Sequence, residues 1–159
     1  MALLPYRIEV NNGAYVNVDN FMNGTGEAGT IVVYDTSVSG AGSSFDNANS
    51  LVKLSAVAAG SGEKPAGMLL LDVVNKDLSP THLNFYKRET QVGGKGAIAK
   101  RGTFVTNSIP AGVNPAPGDA AYFTNGGFFH TTSTNSTRVG TFVSSRNSDG
   151  YVKVDLTII

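Results

Sequence analysis

The chain contains no cysteine and no tryptophan. Without thiols it can build neither a disulfide framework nor a thiolate metal site. Charge is also scarce: Asp, Glu, Lys and Arg make up 15% of the residues, against roughly 25% in an ordinary globular domain. The 12 basic residues are balanced by 12 acidic ones. The net charge is therefore zero, which removes the electrostatic footprint expected of a nucleic-acid binder. No apolar run approaches the ~20 residues of a membrane-spanning helix. The start, Met1-Ala2-Leu3-Leu4-Pro5-Tyr6-Arg7, lacks the basic-then-apolar layout of a secretory signal. The product is thus expected to be used without secretion through a membrane.

What fills the 159 residues instead is 41% apolar side chains, 19 glycines and many Asn, Ser and Thr. That length and apolar content suit one compact domain with one core, with room for an extended arm. The mixture favours strands and loops, because long helices would need more Ala, Leu, Glu and Lys. A neutral, weakly charged surface offers little repulsion against self-association.

Strand signals are clearest after Gly118. Residues 120–124 lead to Asn125-Gly126-Gly127, residues 128–132 to a Ser/Thr/Asn loop, and residues 139–144 to Ser148-Asp149-Gly150. In the closing run Val152, Val154, Leu156 and Ile158 alternate with Tyr151, Lys153, Asp155 and Thr157. Period-two alternation marks a half-buried strand. Asn-Gly and Asp-Gly readily take the positive φ of tight turns. The expectation is a meander of about four antiparallel strands with one face on a core.

Earlier in the chain, Ile31-Val32-Val33-Tyr34 is apolar on both faces, as a central strand would be. Residues 51–57 read as a strand, although their Ala and Leu content also suits a short helix. Residues 66–74 read as a buried strand. Residues 90–98 carry Gly93, Gly94 and Gly96 and should bend. Strand character resumes over 97–106 with an interruption at Lys100-Arg101-Gly102. Loops are expected at 37–49 and 75–89. Residues 1–28 are broken by Pro, Asn and Gly and read as an extended N-terminal arm or an edge segment, ahead of a single barrel-like domain over 29–159. The apolar residues Leu3, Leu4, Tyr6, Ile8, Phe21 and Met22 either pack on their own domain or dock on a neighbouring subunit, where each fully buried anchor contributes ~1.5–3 kcal/mol.

The chain also echoes itself. Gly29-Thr30 before Ile31-Val32-Val33-Tyr34 resembles Gly118-Asp119 before Ala120-Ala121-Tyr122-Phe123. Lys64-Pro65-Ala66-Gly67-Met68-Leu69-Leu70 resembles Thr137-Arg138-Val139-Gly140-Thr141-Phe142-Val143. The paired glycines lie 38 residues apart in one half and 22 in the other. Two related barrel halves would produce this pattern, and a repeat protein of fixed period would not.

Groups for catalysis are few. His82 and His130 lie in different segments, and no Gly-x-Ser-x-Gly elbow occurs. Asp19, Asp35, Asp46, Asp72 and Asp77 lack calcium-loop spacing. Gly93-Gly94-Lys95-Gly96 fails the phosphate-loop pattern at both ends, since Glu89 stands where a glycine is required and Gly96 where Ser or Thr is. Neither an enzyme nor a cofactor is expected. Lys87, Arg88, Lys95, Lys100 and Arg101 form a local basic cluster, which suits an acidic partner surface or a strand edge guarded against aggregation. A carbohydrate-binding β-module would need an exposed ring near Phe128 or Phe129.

The order of motifs carries a resemblance. Lys64-Pro65-Ala66-Gly67-Met68-Leu69-Leu70-Leu71-Asp72, Gly102-Thr103-Phe104-Val105, Gly118-Asp119-Ala120-Ala121-Tyr122-Phe123, Val139-Gly140-Thr141-Phe142-Val143 and Gly150-Tyr151-Val152-Lys153-Val154-Asp155-Leu156 together resemble the decoration (cement, or head-stabilising) proteins of tailed bacteriophages. The resemblance spans roughly residues 29 to 158 and leaves the N-terminal segment unmatched. It implies an all-β fold: an antiparallel β-barrel, β-tulip-like or sandwich domain. It implies a homotrimer made in the host cytoplasm and carried on the outer capsid surface of the virion, with the major capsid protein as partner. A tail, fibre or head-spike component is the alternative structural role. On this resemblance the contacts are expected in the N-terminal segment and in the loops at 37–49 and 75–89.

Overall fold

Glycines at positive φ and short β-branched runs between them divide the described residues into 12 strands. The structure is a computed structural model that describes residues 16–35, 51–54, 62–76, 89–133 and 137–158, with backbone alone for 16–19 and 51–54. The strands are β1 (Val16–Met22), β2 (Ile31–Tyr34), β3 (Leu51–Leu54), β4 (Pro65–Leu69), β5 (Asp72–Val74) and β6 (Glu89–Gln91). They continue with β7 (Lys95–Ala99), β8 (Arg101–Thr106), β9 (Ala120–Phe123), β10 (Phe129–His130), β11 (Arg138–Phe142) and β12 (Val152–Thr157). A single 3-10 turn, Asn125–Gly127, is the helical element among the described residues. The fold is all-β.

Strands β1-β3-β2-β4-β7 close into a barrel, with β1 and β3 parallel and the other pairs antiparallel. Strands β10-β9-β11-β12-β8 form a curled antiparallel sheet. Its two end strands approach each other, and the Phe129 N–H donates to the Ser108 carbonyl just beyond β8 at 2.8 Å. The parallel pair β5-β6 is a separate ribbon between β4 and β7. Val73 of β5 bridges to Gly26 and reaches the barrel core.

The expected closing meander has the right strands in a different order. β11 lies beside β9, not β10. The reason is local: β10 is two residues long, and its free edge is already taken by Ser108. The strand expected over 66–74 is broken at Leu70-Leu71, where the Leu70 N–H turns to the Ala97 carbonyl. The interruption expected at Lys100-Arg101-Gly102 shrinks to the single residue Lys100 between β7 and β8, and Arg101 and Gly102 belong to β8. β1 is a stave of the barrel with both edges hydrogen-bonded. Residues 1–15, which include the start of the expected arm, lie outside the described residues, as do nearly all of the loops expected at 37–49 and 75–89.

Barrel and sheet repeat one plan. In the first, Ile31 faces Met68, Val32 faces Gly67 and Val33 faces Pro65, so Ala66 is bulged out of the pairing. In the second, Ala120 faces Thr141, Ala121 faces Gly140 and Tyr122 faces Arg138, so Val139 is bulged. The remaining registers agree as well. Met68 with Ala99 and Leu69 with Ile98 match Thr141 with Asp155 and Phe142 with Val154. Tyr34 with Val52 matches Phe123 with Phe129. Val16 with Ala99 matches Thr103 with Asp155. Strands β1, β2, β3, β4 and β7 thus correspond to β8, β9, β10, β11 and β12. The curled sheet is a second barrel of the same plan left open between its end strands, where the Phe129–Ser108 bond links β10 to the end of β8.

The two cores follow from this plan. The first barrel encloses Met22, Val32, Ala66, Leu69, Val73 and Ile98, with Val92 packed against them. The second encloses Ala121, Phe123, Phe129, Val139, Phe142 and Val154 among others. The second core also takes in Ile31, Val33, Met68 and Ala99, from the outer wall of the first barrel. Strands β2, β4 and β7 are therefore buried on both faces, which explains the continuous apolar run in β2. Gly127 lies against the backbone of Ile31, where a Cβ would fall on the Ile31 carbonyl oxygen. Behind it, the Thr106 hydroxyl accepts from the Ser108 N–H and reaches the Gly29 carbonyl.

Candidate interaction surface

The residues expected to make contacts divide by position. Leu3, Leu4, Tyr6 and Ile8 lie outside the described residues. Phe21 is half-buried on β1, and the Lys95 ammonium stands 5.7 Å from its ring centroid. Met22 takes the first of its two expected alternatives and is fully buried inside its own barrel, so it is not a surface contact. Gly96, its neighbour on β7, is small because a Cβ there would come within 2.7 Å of the Met22 side chain. Strand alternation sends Phe21 and Met22 to opposite faces, so two adjacent apolar residues serve different ends.

The basic cluster does not assemble as one patch among the described residues. Lys95 and Lys100 sit at opposite ends of β7, about 17 Å apart at strand rise. Lys95 covers Phe21, while the Lys100 ammonium donates to the Tyr34 hydroxyl at 2.9 Å and lies 5.5 Å from that ring. Arg101 is exposed, and Lys87 and Arg88 fall outside the described residues.

The Gly93-Gly94-Lys95-Gly96 segment is a turn. The Gly93 N–H donates to the Met22 carbonyl and the Gly94 N–H to the Gln91 carbonyl, so protein acceptors occupy the amides that a phosphate would need. His130 accepts the Thr132 N–H on Nδ1, a local turn bond, and His82 lies outside the described residues. Among the described residues no group of three or more His, Asp or Glu is placed to hold a metal ion. No described helix is long and apolar enough to cross a membrane. Of the aromatic pair after the Asn-Gly-Gly turn, Phe129 is buried edge-to-face on Phe142, with centroids 6.5 Å apart, and Phe128 is exposed.

What the described surface does offer is apolar and sparse. Tyr34, Phe128 and Val143 are its exposed large hydrophobic residues. Tyr34 stands at the end of β2, at a mouth of the first barrel, beside Lys100. Val143 follows β11 on the outer wall of the second barrel, in line with Thr141. The same wall carries Tyr122 and the exposed Asp155, which accepts from the Thr103 hydroxyl. The exposure of Tyr34 and Val143 is not visible from residue types, because an isolated Tyr or Val in a strand pattern looks like core.

The architecture is that of a β-protein built from two barrels of one plan. In fold the chain is similar to a chain of a solved structure described as "The capsid of Myoviridae Phage XM1", with a TM-score of 0.64 at 14% sequence identity. The likeness covers 100% of this chain and 94% of that one. No protein-family model matches the sequence, and no curated protein matches it.

Proposed function

We propose that this chain is a structural protein of a tailed-phage virion that binds the outer capsid surface and stabilises contacts between major capsid subunits. The supporting observation is the end-to-end likeness in fold to a chain of a phage capsid structure. The order of strand motifs from Lys64 to Leu156 supports the finer reading as a decoration protein. The role is mechanical and needs no active site or cofactor. A rigid double barrel that touches two shell subunits converts their separation into the loss of two linked contacts. Linking binding events in this way strengthens the whole without any new type of contact. The working form is a homotrimer, and the N-terminal segment around Leu3, Leu4, Tyr6 and Ile8 supplies shell contacts.

Purified protein mixed with undecorated, expanded shells of its own phage should bind to saturation and raise the shell's melting temperature. Absence of binding to any expanded shell would reject the proposal. Gold-labelled protein found on tails or fibres, and not on heads, would assign it to the tail, fibre or head-spike class instead.

A further inference from the structure

The two barrels meet head to tail. The outer wall of the first, through Ile31, Val33, Met68 and Ala99, fills the core of the second. Leu70 packs on the edge of that contact, and Phe123 and Leu156 line the receiving side. Different surfaces are used on the two barrels, so the contact is heterologous. A heterologous contact between like units leaves one unused copy of each surface.

The shared register identifies those unused copies. The counterpart of Leu70 is Val143: the Leu70 N–H donates to the Ala97 carbonyl and the Val143 N–H to the Lys153 carbonyl, at equivalent places in the two barrels. The counterpart of Phe123 is Tyr34. Phe123 is 4% exposed, whereas Tyr34 is 37% and Val143 is 46% exposed. Two of the described surface's exposed large hydrophobics are thus the equivalents of residues that the internal contact covers.

Charge follows the same correspondence. Ala99 on the inserting wall is replaced in the second barrel by Asp155. Leu156 on the receiving side faces Gly140, and since Asp155 corresponds to Ala99, the residue that corresponds to Leu156 in the first barrel is Lys100. Two apolar residues of the shared core, Ala99 and Leu156, thus correspond to an acidic residue on one exposed surface and a basic residue on the other.

We propose that copies of this chain associate head to tail by repeating the contact already made between its own barrels. The outer wall of the second barrel, at Val143 and Asp155, docks on the mouth of the first barrel of the next copy, at Tyr34 and Lys100. The occupant is a second copy, because the internal contact joins the counterparts of this wall and this mouth. The proposal rests on the internal repeat and does not depend on binding to a shell. A closed ring results if the rotation between copies closes, and an open filament if it does not.

Sedimentation of the full chain in low salt should give an assembly larger than a dimer. Val143→Asp removes the inserting surface and Tyr34→Asp the receiving one, and each should raise the concentration needed for assembly more than tenfold. An equimolar mixture should form a discrete dimer, since each variant keeps the surface the other has lost. Asp155→Lys and Lys100→Asp provide a second pair: each alone should weaken assembly, and the doubly substituted chain should regain it. Circular dichroism of each variant checks that it is folded. A wild-type chain that stays monomeric at millimolar concentration, single variants that assemble normally, or a mixture that stays monomeric would each overturn the proposal.

Discussion

Gly29 and Gly118 occupy the same place in the two barrels. Gly29 has φ 94° and donates its N–H to the Leu69 carbonyl at 2.7 Å; Gly118 has φ 97° and donates to the Phe142 carbonyl at 2.7 Å. The return bonds match too, from the Leu69 N–H to the Thr30 carbonyl and from the Phe142 N–H to the Asp119 carbonyl. The left-handed turn that glycine permits aims each following strand at its bulged partner. Two backbones with so little sequence in common keep the same hydrogen bonds because the bonds belong to the main chain.

The glycines of this plan should differ in their tolerance. Around Gly118 a Cβ meets nothing within 4 Å, so Gly118→Ala bears only the left-handed backbone cost of about 1–2 kcal/mol. At Gly140 a Cβ would fall on the Asp155 carbonyl oxygen across the β11–β12 pair. Gly140→Ala should therefore cost about 3 kcal/mol or more through overpacking. Urea unfolding of both variants measures the difference, and equal losses would contradict it.

Phe129 and Phe142 close the second core. Both are fully buried and meet edge to face at 71° between ring planes. Either change to Ala should destabilise by about 3–5 kcal/mol. A double-mutant cycle should return a coupling of about 0.5–1.5 kcal/mol for the ring pair. A coupling near zero would mean that the two rings pack independently.

The barrels should unfold as one unit, because the outer wall of the first completes the core of the second. Val33→Ala, on that wall, should lower global stability by about 2 kcal/mol. Hydrogen exchange reads the result residue by residue: the amides of Leu69 and Val154 should lose equal protection. A loss confined to one barrel would show that they are independent folding units.

Asn147 organises the turn before β12. Its side-chain oxygen accepts from the Asp149 and Tyr151 N–H groups, and its backbone pairs with Tyr151 and Gly150. Asn147→Ala removes two side-chain bonds and should cost about 1–2 kcal/mol in thermal unfolding. Asn147→Asp keeps the acceptor and should recover most of that loss.

The sequence signal for this turn was Asp149-Gly150, and Gly150 does take φ 86°. The acceptor that holds it sits outside that dipeptide, where composition gives no cue. The same contrast runs through the fold. Val152, Val154 and Leu156 alternate into the core as their spacing requires. Ile31, Val32 and Val33 form the doubly buried strand that their uninterrupted apolar character implies. The resemblance between the Gly29 and Gly118 stretches corresponds to a shared register, even though the intervening loops differ in length. Met22 could not be separated from Phe21 by type, because both are large, apolar and adjacent; the barrel's curvature encloses one and leaves the other half-covered. The basic cluster looked single because Lys95 and Lys100 are near in number, but an extended strand holds them at its two ends.

Local pattern by itself determined where most strands and glycine turns fall and hinted at the duplicated plan, because alternation and glycine placement act within a few residues. The tertiary structure decided the order of β9, β10 and β11, the insertion of one barrel's wall into the other's core, and the exposure of Tyr34 and Val143. Those outcomes depend on which edge and which face are already occupied when the chain returns. Ser108 takes the edge of β10, and the second barrel takes the outer face of β2. Occupancy of this kind is set by residues far apart in the chain, so no window of sequence contains it.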